Sequence, residues 1–289
     1  MRVSLIITTY NWKEALALVL ASALRQTRLP DEIIVADDGS TDGTAELVAS
    51  LAKEAPIPVI HSWQEDKGFR VAMSRNKALA KAKGEYIILA DGDIIMERHF
   101  VEDHLAAARP GFFVQGGRAL LSRHKTERIL SPAGQGRVSF FEASLANRKN
   151  ALRSRALSFF LSGEGRGLGG IRACNLAFYR ADAVAINGFN EEFQGWGRED
   201  SDFVCRLMHH GVRRYNLRFA AVAYHLYHPA VMREQLQRND ALLALSLAEK
   251  QTRCANGIAN HMENNPAPSG RNVVTDAGSA QTTGGVAAG

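Results

Sequence analysis

Apolar, largely β-branched runs alternate with helix-forming segments over the first 95 residues, and this alternation restricts the possible folds more than any other feature. Val3–Thr9 is one such run, typical of a strand buried on both faces. Residues 13–27 then have helical spacing and strong helix formers. Strands at this spacing predict an α/β fold with a mostly parallel central sheet flanked by helices. The other predicted elements of this region are strands at 32–36, 58–63 and 86–90 and helices at 42–54, capped by Ser40 or Thr41, and 71–83.

Composition excludes several classes of protein. The chain has 289 residues, 46% of them hydrophobic, which supports an ordinary globular core. Its net charge of +5 does not by itself imply nucleic acid, and we expect none as a partner. Three scattered cysteines form no CxxC pair, which argues against a disulfide framework or a zinc site. Because we find neither a signal-peptide core nor a run of 18 apolar residues, we expect a cytoplasmic protein.

The second half of the chain has a basic stretch and a polar end. Residues 118–172 contain eleven Lys or Arg against three Glu. This stretch is either a solvated helical insertion, which charge runs usually are, or an interfacial helix that contacts anionic lipid on the inner face of the membrane. The chain after about residue 256 has few large apolar residues and is predicted to be a disordered tail. Further predicted elements are strands at 172–180, 212–216 and 220–224 and helices at 181–186, 199–210 and 232–253.

Acidic and polar clusters follow three of the predicted strands. Asp91 and Asp93 come after the fourth strand, with Gly92 between them. Because ligands of such sheets bind at the carboxyl ends of the strands, we expect these clusters to share one site. Paired carboxylates there favour a hard divalent cation, Mg²⁺ or Mn²⁺, over a plain turn. The other clusters are Thr8-Thr9-Tyr10-Asn11 after the first strand and Asp37-Asp38-Gly39-Ser40 after the second.

Cations open the predicted helix at 71–83. A cationic side chain beside a diphosphate neutralises the part of its negative charge that a bound metal does not compensate. Arg70 is the preferred candidate over Arg75, because the loop at residues 66–69 delivers it towards the strand ends. An Asp at the end of the second strand could accept a hydrogen bond from a ring N–H of a base.

The segment at residues 195–202, GWGREDSD, carries the most chemistry. An aromatic residue between two glycines suggests a mobile loop with a flat face for a sugar, and the following acids begin a helix whose dipole favours their ionised form. An ionised carboxylate can act as a general base. His225 follows a predicted strand, with His228 three residues on, and is either a packed residue or a metal ligand.

These motifs together resemble a known family. The segments SLIITTYN, VADDGSTDGT, GFRVAMSRN and GEYIILADGD resemble the donor-binding half of glycosyltransferase family 2, which has the GT-A fold. The segment GWGREDSDF, with His225 beyond it, resembles the acceptor half of chondroitin-polymerase-like enzymes and β-1,4-galactosyltransferases. The resemblance covers about residues 1–110 and 170–230. From it we predict a nucleotide-sugar-binding half at residues 1–110 and an acceptor-binding half at 111–255, which includes the basic stretch as an insertion. It implies donor-binding roles for Thr8, Tyr10, Asp38, Arg70 and Asp91, metal binding by Asp93, Asp91 and His225, catalysis by Asp200 with Glu199, and substrate binding by Trp196, Glu199 and Asp202.

The implied activity is inverting sugar transfer. A divalent metal would help a UDP-sugar donor react with a saccharide or lipid-linked saccharide acceptor, in surface-polysaccharide or glycolipid synthesis. A nucleotidyltransferase would need a Gly-rich, Lys-bearing phosphate loop after the first strand, and an NAD-dependent oxidoreductase would need GxGxxG there; neither occurs. The remaining alternative is a non-catalytic nucleotide-sugar or glycan-binding protein on the same scaffold.

Overall fold

The computed structural model describes residues 1–131, 138, 145–229 and 233–262. Within these residues, eight strands form one sheet in the order β3-β2-β1-β4-β9-β6-β10-β8, and three short strands form a second sheet in the order β5-β11-β7. The strands are β1 (Val3–Thr9), β2 (Glu32–Asp37), β3 (Val59–Trp63), β4 (Tyr86–Asp91), β5 (Ile94–Met96), β6 (Phe112–Gln115), β7 (Ala119–Leu120), β8 (Gly163–Gly165), β9 (Asn175–Tyr179), β10 (Arg213–Asn216) and β11 (Ala223–His225).

The helices flank the large sheet on both faces. Most agree with the predicted helices in position but are shorter at one or both ends, where predicted terminal residues lie outside the helix. The helices are α1 (Lys13–Ala23), α2 (Thr44–Glu54), α3 (Val71–Lys81), α4 (Phe100–Ala107), α5 (Arg123–Leu130), α6 (Arg155–Leu161), α7 (Arg180–Ala185), α8 (Glu199–His209) and α9 (Leu236–Ala248), with 3₁₀ turns at Arg148–Ala151 and Ile258–His261. Among the described residues, no helix combines the length and apolar character that crossing a bilayer requires.

Strand β1 is an interior strand of the large sheet, between β2 and β4, and is buried along its whole length. Because successive side chains of a strand point to opposite faces, Leu5 and Ile7 belong to one apolar core and Ile6 belongs to the other. The first core packs against α1 and α4, and the second packs against α3, α7 and α8. The result is the predicted α/β architecture, with β1, β2, β3 and β4 all parallel.

The large sheet joins the two predicted halves of the chain. Strand β9 pairs antiparallel with β4 and also with β6, which therefore runs in the same direction as β4. The boundary near residue 110 thus does not separate two independent sheets. The assignment of the two halves of the chain to donor binding and acceptor binding stays a prediction.

Two local predictions differ from the structure. Neither Ser40 nor Thr41 caps α2, which begins at Thr44 after Gly43; Asp42 instead accepts a hydrogen bond from the backbone N–H of Thr44 at 3.2 Å. The predicted disordered tail is wrong for residues 256–262, where Ile258 is buried in the second core. The rest of that predicted tail, residues 263–289, lies outside the described residues.

The basic stretch at 118–172 is not one helical insertion. It contains β7, α5, a 3₁₀ turn, α6 and β8 among its described residues. Residues 132–137 and 139–144 of this stretch lie outside the described part of the chain.

Candidate active site

A cleft of about 720 Å³ opens at the carboxyl ends of β1 and β4. Of the sequence-predicted site residues, eight line it: Thr8, Tyr10, Asp38, Asp91, Asp93, Trp196, Glu199 and Asp200. A second cavity of about 600 Å³ shares Asp91, Asp93, Arg118, Trp196, His228 and Arg233 with the cleft and adds His225. The predicted mechanism requires Asp93 and Asp200 to face one common cavity. Both residues line the cleft.

The paired aspartates are placed by close contact between β4 and β1. Asp91 ends β4, and its Oδ1 accepts a hydrogen bond from the Thr8 hydroxyl at 2.7 Å. The backbone N–H of Gly92 donates to the carbonyl of Thr8 at 2.6 Å. A side chain at Gly92 would lie within 2.8 Å of that carbonyl oxygen, so only glycine fits between the two acids.

The small sheet brings two histidines to Asp93. Strand β11 pairs antiparallel with β5, and this register places His225 opposite Ile94, directly after Asp93. The Nε2 atoms of His225 and His228 lie 3.3 and 3.4 Å from Asp93 Oδ2. One ligand atom of each residue lies within 4.8 Å of the others, a spacing that can hold a metal ion. Asp91 is not part of this group; its Oδ1 accepts hydrogen bonds from the Thr8 hydroxyl and from Arg75.

The electrostatics of this cluster fit a cation. Burial, and then the negative charge of Asp91, raises the pKa of Asp93 to about 8. Asp93 Oδ1 is buried with no hydrogen-bond partner among the described residues. Burial, with the nearby charges of Arg118 and His228, lowers the pKa of His225 to about 3, so its imidazole is neutral. A neutral imidazole is a metal ligand, and a cation would repay the cost of burying the ionised Asp93.

Arg75 connects the paired aspartates to the acidic start of α8. Its guanidinium lies 3.3 Å from Asp91 Oδ1 and 3.0 Å from Glu199 Oε1, and its side chain is only 5% exposed. Its guanidinium carbon also lies 5.3 Å from the centre of the Phe189 ring. Arg75 therefore holds the two acidic elements of the cleft at a defined distance from each other.

Asp200 lies in the first turn of α8. Its Oδ1 accepts a hydrogen bond from the backbone N–H of Ser201 at 2.6 Å. Burial, and then the charge of Glu199, raises the pKa of Asp200 to about 7, against the opposing effect of Arg75. A carboxylate with a pKa near neutrality can accept a proton efficiently at physiological pH.

Arg70 contacts Asp38 through its backbone, and its guanidinium does not reach the cleft as predicted. Asp38 is buried and accepts hydrogen bonds from the backbone N–H of Arg70 at 2.7 Å and from Gln64 Nε2 at 2.5 Å. The Arg70 guanidinium turns away to the carbonyl of Glu65 and does not line the cleft. Arg75, which the sequence ranked second, is the arginine at the paired aspartates. Asp37 is structural, because its side chain holds the turn at Ser40 and contacts His61.

Trp196 extends from a turn that needs its two glycines. Gly195 and Gly197 have φ values of +72° and +102°, in the left-handed region that other residues rarely adopt. The guanidinium carbon of Arg233 lies 4.5 Å from the centre of the Trp196 ring. One face of the predicted sugar platform is thus covered by an arginine in this structure.

Asp202 does not fit its predicted substrate-binding role. Its side chain is fully buried, and Arg206, one helical turn on, lies 2.8 Å from its Oδ2. Its Oδ1 accepts a hydrogen bond from Ser246 at 2.6 Å, which attaches α8 to α9. Asp202 is therefore a structural residue.

Sequence reasoning missed Arg118 and undervalued His228. Arg118 lines both cavities, and its guanidinium reaches Cys174 Sγ at 3.5 Å. No local motif marks Arg118, because it reaches the site through long-range pairing of β7 with β11. The spacing of His225 and His228 was a usable signal for the second histidine, as ligands three residues apart can meet at one ion.

Comparison with known families supports a sugar-transfer scaffold. Residues 4–163, more than half of the chain, match the glycosyl transferase family 2 model, and residues 164–229 match the model described as N-terminal domain of galactosyltransferase. Validoxylamine A glucosyltransferase of Streptomyces hygroscopicus subsp. limoneus is 29% identical over 72% of this chain and 48% of its own length. Chondroitin synthase of Escherichia coli is 28% identical over 77% of this chain and 34% of its own length. The chain thus spans less than half of the length of these two relatives.

Solved structures share the fold. The S. aureus TarS 1–349 complex with UDP has a TM-score of 0.58 at 19% identity, covering 90% of this chain and 68% of that one. The mannosyltransferase PcManGT from Pyrobaculum calidifontis, in complex with GDP-Man and Mn²⁺, has a TM-score of 0.55 at 20% identity, covering 86% and 63%. The predicted fold class and family resemblance are both confirmed. The chain belongs to glycosyltransferase family 2, has the GT-A fold and carries a galactosyltransferase-type segment at residues 164–229.

Proposed function

We propose that this protein is a metal-dependent, inverting glycosyltransferase that moves a sugar from a UDP-sugar to a saccharide or lipid-linked saccharide acceptor. One observation carries the proposal: the Asp93-His225-His228 cluster and Asp200 border the same connected cavities, with Arg75 joining the two acidic elements. A metal site beside a buried carboxylate of raised pKa is the arrangement that metal-assisted transfer to a hydroxyl needs.

The donor would lie over the carboxyl ends of β1, β2 and β4. Asp38 faces the cleft, and each of its oxygens keeps a lone pair that can accept a hydrogen bond from the ring N–H of uracil. Tyr10 is half-exposed beside it and donates to Asp66 at 2.9 Å, which fixes the direction of its ring. The TarS structures contain UDP and UDP-GlcNAc, and a UDP-sugar is the donor that we infer by analogy.

The ligand set favours Mn²⁺ over Mg²⁺. Asp93, His225 and His228 would supply one carboxylate oxygen and two imidazole nitrogens. Mg²⁺ prefers oxygen ligands in octahedral geometry, whereas imidazole nitrogen suits transition metals. When bound, the metal would act as a Lewis acid that stabilises negative charge on the departing diphosphate.

Asp200 would take the proton from the attacking hydroxyl of the acceptor. Its raised pKa, about 7, leaves a substantial fraction ionised at neutral pH and gives it enough basicity to accept that proton. Arg75 holds Glu199 beside it, and Glu199 is then available for contact with the donor sugar or the acceptor. Attack of the hydroxyl on C1 as the C1–O bond to diphosphate breaks is a single displacement, which inverts the anomeric configuration.

The acceptor side of the cleft is aromatic and basic. Trp196 lies beside Arg233, and Arg118 and Arg172 line the same cleft. These cations favour an acceptor that carries phosphate or carboxylate groups, as intermediates of surface-polysaccharide or glycolipid synthesis do.

A panel of UDP-sugars with Mn²⁺ tests the proposal. We expect one donor to be hydrolysed slowly without an acceptor, and the Asp200→Asn variant to lose orders of magnitude in turnover while still binding UDP and Mn²⁺. Asp182→Asn is the matched control, because burial also raises the pKa of Asp182 but that residue does not line the cleft.

Two results would contradict this function. If UDP-sugars bind, as seen by thermal shift, yet none is hydrolysed or transferred, the chain is a binding protein on a GT-A scaffold. If Asp200→Asn keeps the turnover of the Asp182→Asn control, Asp200 is not the base.

A further inference from the structure

Helix α6 presents large apolar side chains to solvent. None of its seven residues is buried. Phe159 and Phe160 are 80% and 77% exposed, and Leu157 and Leu161 are 39% and 47% exposed. Four neighbouring exposed apolar side chains on one short helix form an apolar patch, and the largest apolar patch of a soluble protein is often an interaction site.

The helix is held at both ends, so it displays these side chains in a defined position. At its start, the Ser154 hydroxyl accepts from the backbone N–H of Leu157 at 3.3 Å, and the backbone N–H of Ser154 donates to the carbonyl of Phe219 at 2.9 Å. At its end, the Ser162 hydroxyl accepts from the backbone N–H of Arg218 at 2.9 Å. The Phe159 and Phe160 rings pack edge to face with centroids 5.1 Å apart.

Exposed arginines lie near the ends of this helix in sequence or in contact with it. Arg166 and Arg218 are exposed and have no acidic partner among the described residues. Arg155, in the first turn of α6, is exposed and pairs with Glu102 at 2.7 Å. The described residues from 145 to 172 include six Lys or Arg and a single acid, Glu164.

We propose that α6 docks the protein on the surface of an anionic bilayer, with Phe159 and Phe160 inserted at the headgroup boundary and the arginines facing lipid phosphates. Aromatic residues on a helix with basic neighbours bind such interfaces reversibly. A second protein copy is the poorer occupant. Four side chains offer a few hundred Å² at most, well below the roughly 800 Å² that each partner buries in a stable interface.

Docking through α6 would bring the candidate active site near the membrane. From Leu161 the chain runs through β8 to Leu168, which lines the cleft. Seven residues span at most about 25 Å, so a lipid-anchored acceptor would be within reach of the cleft. The docking itself does not depend on the proposed sugar transfer.

Vesicle flotation tests this proposal directly. The full chain is mixed with vesicles of phosphatidylcholine alone or with 30% phosphatidylglycerol, and the bound fraction is measured. We expect binding to the anionic vesicles, and a loss of about tenfold or more in partition for Phe159→Ser/Phe160→Ser. Arg166→Gln/Arg218→Gln should lose about tenfold on anionic vesicles only, and that loss should shrink at high salt.

The matched control is Leu245→Ser/Leu247→Ser, which replaces two leucines that are 48% and 45% exposed on α9. We expect it to bind vesicles like the unmodified chain. Hydrolysis of the UDP-sugar in vesicle-free solution should be unchanged in Phe159→Ser/Phe160→Ser, which separates failure of docking from failure of the proposed function. Equal vesicle binding by the phenylalanine variant and the control overturns the proposal. So does a concentration-dependent dimer that the phenylalanine variant abolishes, in the absence of vesicle binding.

Discussion

Replacement of Arg75 by methionine is expected to destabilise the protein and disable the cleft together. The Arg75 side chain is 5% exposed and forms ion pairs at 3.0 Å with Glu199 and 3.3 Å with Asp91. Removing one partner of a buried ion pair costs about 3–5 kcal/mol, because a charge is left without compensation. Since Asp91 is about one-third exposed, with 32% of its side chain accessible, we expect the lower end, about 3 kcal/mol. That corresponds to a fall of about 6–12 °C in melting temperature.

The assay is urea unfolding with and without Mn²⁺ and UDP, alongside turnover. Arg153→Met is the control, because Arg153 pairs with Asp103 at 2.7 Å, is 20% exposed and does not line the cleft. We expect both variants to lose stability, but only Arg75→Met to lose turnover. Arg75→Lys, which keeps the charge, should lie between Arg75→Met and the unmodified chain. An Arg75→Met protein within about 0.5 kcal/mol of the original, with normal turnover, would refute the role of Arg75 as the connection between the two acidic elements.

Three further predictions concern the acids of α8. At saturating Mn²⁺, turnover should rise about tenfold per pH unit below pH 7 and level off above it, because Asp200 must be deprotonated to act as a base and its pKa is about 7. Glu199→Gln should shift this rise to lower pH, since the charge of Glu199 contributes to the raised pKa; a pH–rate profile that stays in place would contradict that assignment. Asp202→Asn should lower the free energy of unfolding by about 3 kcal/mol, because it breaks the buried pair with Arg206, and should leave the KM for the donor unchanged. A raised KM without a loss of stability would return Asp202 to the substrate site.

The sequence was sufficient for the four parallel strands β1 to β4 of the large sheet. Buried parallel strands read as continuous apolar runs, and Val3–Thr9 is buried at every position. The carboxyl ends of such strands meet at one edge, so the positions of Thr8 and Asp91 followed from chain order alone. The 2.7 Å hydrogen bond between these two residues is the outcome of that rule.

The predictions for Asp202 and Arg70 differ from the structure because of the directions in which side chains point from the helices. Residues two apart on a helix point about 200° away from each other, so Asp200 and Asp202 cannot both face the cleft. Similarly, Arg70 precedes α3 as its N-cap residue, whereas Arg75 lies in its second turn on the side that faces Asp91. The sequence near a helix start does not show which side chains point into the cleft, because that direction depends on the residue at which the helix begins.

Other features of the structure depend on packing between distant segments and could not be predicted from local sequence patterns. Arg118 and His225 reach the cavity that Asp93 lines through pairing of β7, β11 and β5, strands of two or three residues with no periodic signal. Exposure of Phe159 and Phe160 likewise could not be inferred, since a Phe pair between leucines is as typical of a core helix as of a surface one.

Pulsed electron paramagnetic resonance of bound Mn²⁺, with histidine labelled by ¹⁵N, tests the central assignment most directly. We predict that Mn²⁺ in the presence of UDP couples to two histidine nitrogens, that His228→Gln removes one of them, and that Asp93→Asn weakens Mn²⁺ binding by at least about 100-fold. Asp200→Asn should leave the spectrum unchanged, because in the proposed mechanism Asp200 acts on the acceptor and not on the metal. Mn²⁺ that binds with unchanged affinity after Asp93→Asn, or without any nitrogen coupling, would contradict the metal site on which the proposed mechanism depends.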